Sequence, residues 1–300
     1  MGLFLYQTLT HLAYTLHTFC YTYHMPIILK RGFHVVTTIF ALIGIILVGG
    51  YFAVRFGFTN TQGIIDNQTK NFFPGSKIES RTYTDFPLAH TPPWITFRQA
   101  VIKDLPMITK VSKETGVPAR LLVAILVPEQ MRLFHSNRSV FKSVFEPLKV
   151  LGSQSQFSWG IFGIKDDTAK NVEAHLTNRS SPYYLGKAYE NTLNFASSTD
   201  IDQERYLRIT DEHNHLYGYR YAALYILQIE SQWKKAGYPI DTKPEVIATL
   251  WNLGFEKSKP HKDPTSGGAV LDINDKKYSF GEIARLFYYS DEMIEIFPQE

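Results

Sequence analysis

Apolar positions along the chain form one long uncharged run and then, after a polar interval, several shorter stretches with helical spacing. Residues 35–54 are twenty positions without a charge, rich in Ile, Leu, Val and Phe. At about 1.5 Å per residue, a helix of that length covers the roughly 30 Å hydrocarbon core of a bilayer. The run predicts a transmembrane anchor. Residues 55–97 carry Thr, Asn, Gly and Pro with scattered aromatics and end near Thr91-Pro92-Pro93-Trp94, which predicts a spacer with short strands at most. Helical periodicity begins at Thr96, a candidate N-cap, and stops at Gly116. The almost wholly apolar stretch 118–130 predicts a second helix, and polar, Ser-rich 135–158 a loop. Asp166 or Asp167 is placed to cap a helix reaching Leu176. Further helices are predicted over 182–195, 202–209, 214–236 and 243–252. Tyr278 to Glu282 reads as a short strand or turn into a last helix over 283–289. The expected architecture is a mostly α domain behind one N-terminal transmembrane helix.

Charge orients the anchor. Lys30 and Arg31 precede the apolar run and only Arg55 directly follows it. The positive-inside rule then puts residues 1–34 in the cytoplasm and everything after about residue 58 outside the cytoplasmic membrane, on the periplasmic side. A cleavable signal peptide is disfavoured by the length of the apolar core and the lack of a small-x-small cleavage site. Residues 1–29 are uncharged and rich in Thr, Tyr, His and Phe, and Met25 directly precedes an ordinary anchor. Translation is therefore expected to start at Met25, which N-terminal sequencing checks. The net charge of +3 comes from residues 1–55, since removing their three cations leaves 28 basic against 28 acidic residues. A neutral globular part gives no electrostatic basis for nucleic-acid binding. Cys20 is the single cysteine, so no disulfide and no thiol-based metal or redox site is expected. The hydrophobic content of 44% is ample for a packed core.

The chemistry centres on Glu129. Leu122, Ile125 and Leu126 lie seven, four and three residues before it and share its helical face. A carboxyl that continues an apolar face is poorly solvated, and desolvation disfavours its charged form. A neutral carboxylic acid near pH 7 is what general-acid cleavage of a glycosidic bond requires. Pro128 removes a helical hydrogen bond just before it and predicts a kink.

Three blocks follow: Ser158-Trp159-Gly160-Ile161-Phe162-Gly163 running on to Thr168-Ala169, then Asn214-His215-Leu216-Tyr217-Gly218-Tyr219-Arg220-Tyr221, then Ala248-Thr249-Leu250-Trp251-Asn252-Leu253-Gly254. With Glu129-Gln130 they resemble, in order, the four motifs of the lytic transglycosylase catalytic domain of the lysozyme-like superfamily. The resemblance covers about 98–255 and departs from the family pattern at Gln130, Gly163 and Trp251, which replace Ser, Gln and Tyr. It implies a lysozyme-like catalytic domain over 98–255, with 256–300 as a C-terminal extension packing on it. The implied substrate is the glycan strand of peptidoglycan, cleaved at the MurNAc–GlcNAc β-1,4 bond with a 1,6-anhydroMurNAc product. Glu129 is the implied acid and base, and Gln130, Ser158, Trp159, Gly160, Ile161, Phe162, Tyr221, Trp251 and Asn252 the implied glycan-binding residues. Neither cofactor nor metal is implied. Two alternatives stay open: a non-catalytic peptidoglycan-binding or scaffold protein of an envelope assembly, and a hydrolytic muramidase drawing a second carboxyl from Asp166 or Asp167.

Other candidates carry less. Asp211, His213 and His215 are close in sequence, but His-x-His alone is a weak metal signal and a solvated turn is the simpler reading. Asn67, Asn137 and Asn178 fit the glycosylation pattern, which three matches meet by chance. Tyr217, Tyr221 and Tyr225 share a helical face that suits core packing or, in part, a sugar groove. No Ser-His-Asp arrangement or phosphate-binding glycine loop is legible.

Overall fold

The computed structural model describes residues 27–55, 86–135, 160–195, 200–254, 256 and 258–299. Contacts divide the chain into two compact units, Met1–Asn60 and Thr61–Glu300. Among the described residues of the first, one helix, α1, spans Ile27–Arg55 and includes the uncharged run. Val35, Ile39, Phe40, Leu42, Ile43, Ile45 and Val48 are exposed along it. Among the described residues, no helix is long and apolar enough to cross a membrane. The side chains at 27–30, 46, 47 and 50–55 fall outside that description.

Among its described residues the second unit is helical with one small hairpin. Its elements are α2 (Pro92–Lys103), α3 (Leu105–Thr115), α4 (Ala119–His135), α5 (Asp166–Thr177), α6 (Ile201–Thr210), α7 (Leu216–Lys235), α8 (Pro244–Leu253), β1 (Val270–Ile273), β2 (Lys276–Ser279) and α9 (Phe280–Tyr288). The expected mostly α class holds. The helix expected over 96–116 is two helices and starts earlier. Thr91 is the N-cap, its hydroxyl accepting the Trp94 N–H, and Pro92 and Pro93 suit the first turn, where no amide partner is needed. The break falls at Asp104, because Pro106 has no N–H to continue the helical ladder. Residues 86–97, read as spacer, already belong to the core: Phe86, Leu88, Trp94 and Phe97 are buried, and Phe86 packs edge-on to Trp94 at 4.7 Å.

The helix expected over 182–195 does not form. Pro182 and a Gly186 with φ of 108° leave turns and one short 3-10 segment, Lys187–Tyr189. Neither Asp166 nor Asp167 caps α5; Lys165 is the N-cap, and both acids sit in the first turn, where a negative charge meets the positive helix end. The β1–β2 hairpin turns on Asn274 and Asp275, both with positive φ (52° and 61°), the conformation of a two-residue hairpin loop.

α4 is the central rod. Leu121 through Val127 are all buried, α9, α8, α2, α3, α7 and β1 pack around the helix, and it runs through Pro128 to His135. The tail of the chain completes the core. Phe280, Ile283, Phe287, Met293 and Phe297 are buried, and Gly281 lets α9 approach α8 so closely that a Cβ there would overlap the Glu245 carbonyl and the Thr249 hydroxyl. Arg120 ties this tail to α4. Its fully buried guanidinium donates to the carbonyls of Phe287, Tyr288, Ser290, Glu292 and Phe297 at 2.6–3.2 Å and lies over the Phe287 ring at 4.8 Å. All five guanidinium N–H groups are engaged, and the open carbonyl end of α9 is satisfied by one side chain.

Candidate active site

Glu129 projects from α4 directly after Pro128 and is 5% exposed. Burial is what its position on an apolar face predicts. A partner that it does not predict is Arg132, one helical turn on, which donates from Nη2 to Glu129 Oε1 at 2.8 Å. Burial and a guanidinium act in opposite senses on a carboxyl proton.

The next residue, Gln130, crosses to the second motif block by donating from Nε2 to the Ile161 carbonyl. That block is a tight turn with Gly160 and Gly163 at φ of 63° and 59°. Gly160 has a second constraint, since a Cβ there would run into the Ile209 carbonyl at the end of α6. Phe162 is the hub of the block. It is 1% exposed and meets Tyr219 at 5.3 Å and Trp251 at 5.6 Å, both edge-on, while Tyr225 closes on Trp251 at 5.0 Å. Gly218 lies beside the Ile161 side chain. Thus α4, the 160–163 turn, α7 and α8, which carry the four blocks, meet at one place. Ser158 and Trp159 lie outside the described residues.

Several side chains expected to line a groove are turned inward. Phe162, Tyr221 and Trp251 are buried among protein atoms. Tyr221 donates its hydroxyl to Glu173, and burial raises its phenol above the ordinary range. Glu173 in turn holds the buried Arg205 through two bonds of 2.6 and 2.7 Å, and Asp202 adds a third of 2.6 Å. Asn252 Oδ1 accepts the Ala269 N–H at 2.8 Å and fixes the approach to β1. Asp166 pairs with Lys170 at 2.8 Å and lies 3.7 Å from Arg205, so it is bound into the same ionic cluster.

The structure also shows two polar groupings that the sequence did not reveal. His215 Nδ1 lies 2.7 Å from Asp104 Oδ2, which also accepts the Tyr219 hydroxyl at 3.0 Å. The bond to Asp104 raises the imidazole above its ordinary value, with burial opposing. Asp211 instead accepts the N–H groups of His213 and Asn214, as a turn does, and among the described residues no cluster suits a metal ion. Ser181 Oγ lies 2.9 Å from His175 Nδ1, with Glu256 3.7 Å from Nε2. That hydroxyl also accepts the Tyr183 N–H and is closed into its turn. The partners are 111 residues apart for Asp104 and His215, so no local pattern connects them.

No family model matches this chain, and no curated protein or solved structure does.

Proposed function

We propose that this chain is a membrane-anchored lytic transglycosylase acting on peptidoglycan outside the cytoplasmic membrane. The observation that carries the reading is Glu129: a carboxyl 5% exposed at the end of the buried apolar stretch Leu121–Val127, joined through Gln130 to the Gly160-Ile161-Phe162-Gly163 turn. Glu129 gives its proton to the glycosidic oxygen as the C1–O bond breaks, and the electron pair stays with the departing GlcNAc. The ionised Glu129 then takes the proton of the MurNAc C6 hydroxyl, whose oxygen closes the 1,6-anhydro ring on C1. No water attacks, so one carboxyl suffices, unlike hydrolysis with two. The binding of Asp166 to Lys170 weighs against its being a second acid. The exposed apolar side chains of α1 between Phe33 and Val48 support an anchor in lipid.

One observation favours the non-catalytic reading. Arg132 holds the Glu129 carboxyl in an ion pair, which suits an anion better than an acid. The deciding experiment is mass spectrometry of peptidoglycan treated with the protein and with Glu129→Gln. The wild type should release 1,6-anhydroMurNAc ends, and the variant should lose at least the 10²–10⁴-fold that general acid–base catalysis contributes. Reducing MurNAc ends would mean hydrolysis, and no products from folded protein would mean a binding or scaffold role.

A further inference from the structure

Two helix starts turn their side chains towards each other. Asp104 is the N-cap of α3 and His215 the N-cap of α7, and neither side chain bonds its own helix end. Asn214 Oδ1 accepts the Leu216 N–H in place of His215. The imidazole instead lies with Nδ1 2.7 Å from Asp104 Oδ2, and the same oxygen accepts the Tyr219 hydroxyl at 3.0 Å. Asp104 is 8% exposed and Tyr219 is fully buried. Tyr219 then meets Phe162 edge-on at 5.3 Å, and Phe162 meets Trp251 at 5.6 Å. A buried carboxylate is thus joined on one side to a titratable ring and on the other to the hub of the motif blocks.

We propose that His215 is a proton-operated clasp: charged, it locks the start of α7 to the α2–α3 junction and seats Tyr219 against Phe162, and on losing its proton it loosens both. The proton changes the charge of the bond, not its existence. A neutral imidazole with its hydrogen on Nδ1 still donates to Asp104, but a charge-assisted bond is about twice as strong as a neutral one, and the buried carboxylate loses its ionic partner. The charged groups around the ring favour the proton. Asp104 acts most strongly, burial opposes it, and Asp211 and Glu212 after α6 add to Asp104. On the side of α3 and α7, Arg220 is engaged by Glu114 through two bonds of 3.0 Å. Lys103 and His213 are exposed to water, which screens them. The imidazole therefore keeps its proton above the ordinary value of 6.5. Because the folded-state value lies above the unfolded one, the stabilisation is full below 6.5 and is lost as pH rises through the folded value. The clasp does not depend on what Glu129 does.

The test uses the full chain in detergent, with isotope-labelled His and Trp followed by NMR from about pH 5 to about pH 9. His215→Gln and Trp251→Phe assign the two resonances. In the wild type the His215 ring should titrate above 6.5, and the Trp251 indole N–H should shift with the same midpoint. Asp104→Asn removes the charge that holds the proton, so it should lower the His215 midpoint and abolish the linked movement of Trp251. Thermal melts add a second reading. The amide of His215→Gln can donate to Asp104 but carries no charge, so the wild type should melt higher than this variant at about pH 6, by a gap that closes towards about pH 9. Comparing the two proteins at each pH cancels the contribution of Glu230, which both share. A His215 midpoint at or below 6.5, a Trp251 signal that does not follow it, or a melting gap equal at both pH values would overturn the inference. Should Asp104→Asn fail to fold, the wild-type titration and the His215→Gln melts still decide.

Discussion

Glu129 and Arg132 illustrate what a residue's chemistry owes to its neighbours. The apolar face of α4 marks Glu129 from sequence alone, because Leu122, Ile125 and Leu126 stack on its side of the helix. Arg132 is invisible to the same reasoning, since a cation three residues on counts as a solvated side chain until the fold closes around it. Trp251 shows the opposite case. Its place in a motif suggests sugar stacking, but it is 9% exposed and enclosed by Phe162 and Tyr225. Trp251→Ala should therefore lower unfolding free energy by roughly 3–5 kcal/mol in denaturant titration, the usual cost of emptying such a site. Another residue sets a pH dependence. Burial, with the charge of Asp241 nearby, pushes the Glu230 carboxyl up to about 7 from its ordinary 4.5. A folded-state value above the unfolded one contributes stability that is full below 4.5 and lost as pH rises through about 7. Glu230→Gln should flatten that decline and gain roughly 1–3 kcal/mol at pH 8, read as a raised melting temperature there and little change at pH 4.5.

At the scale of elements, periodicity located α5 through α8 to within a few residues and missed where chain-breaking residues or long-range contacts decide. Pro182 and Gly186 interrupt a stretch whose apolar residues alone read as helix. Val270–Ile273 escaped because four residues give too short an alternation, although Asn274-Asp275 is a hairpin signal in its own right. The meeting of four motif-bearing elements around Phe162 was legible only as an order along the chain; the Gln130–Ile161 bond and the Phe162 ring contacts give it a place in space. The joint between α8 and α9 is equally specific. Gly281→Ala puts a methyl group into the Glu245 backbone, and the helices must part. Overpacking of this kind should cost about 1–3 kcal/mol or more by urea denaturation, whereas Gly237→Ala, with open space around it but a φ of 83°, meets only backbone strain.

For the whole molecule, the sequence separates an uncharged segment from a neutral folded unit, and the two compact units divide near the same place, at Asn60. The orientation proposed from three cations is testable without any activity. A reporter that works only in the cytoplasm, fused after Glu300, should stay silent, while one that works only outside should be active. The reverse pattern would place the domain inside the cell and remove it from its proposed substrate.

Arg120 imposes an order on the making of this protein. Its guanidinium is placed in the first third of the folded unit, yet the five carbonyls that receive it belong to residues 287–297. Until those residues arrive, α4 cannot bury its own face without burying an unanswered cation, whose desolvation already pulls it below its ordinary pKa in the finished protein. The packing around α4 is therefore complete only when residues 287–297 are in place. A chain cut before residue 287 deprives the Arg120 guanidinium of all five carbonyls at once, so it should melt at a lower temperature than the full chain.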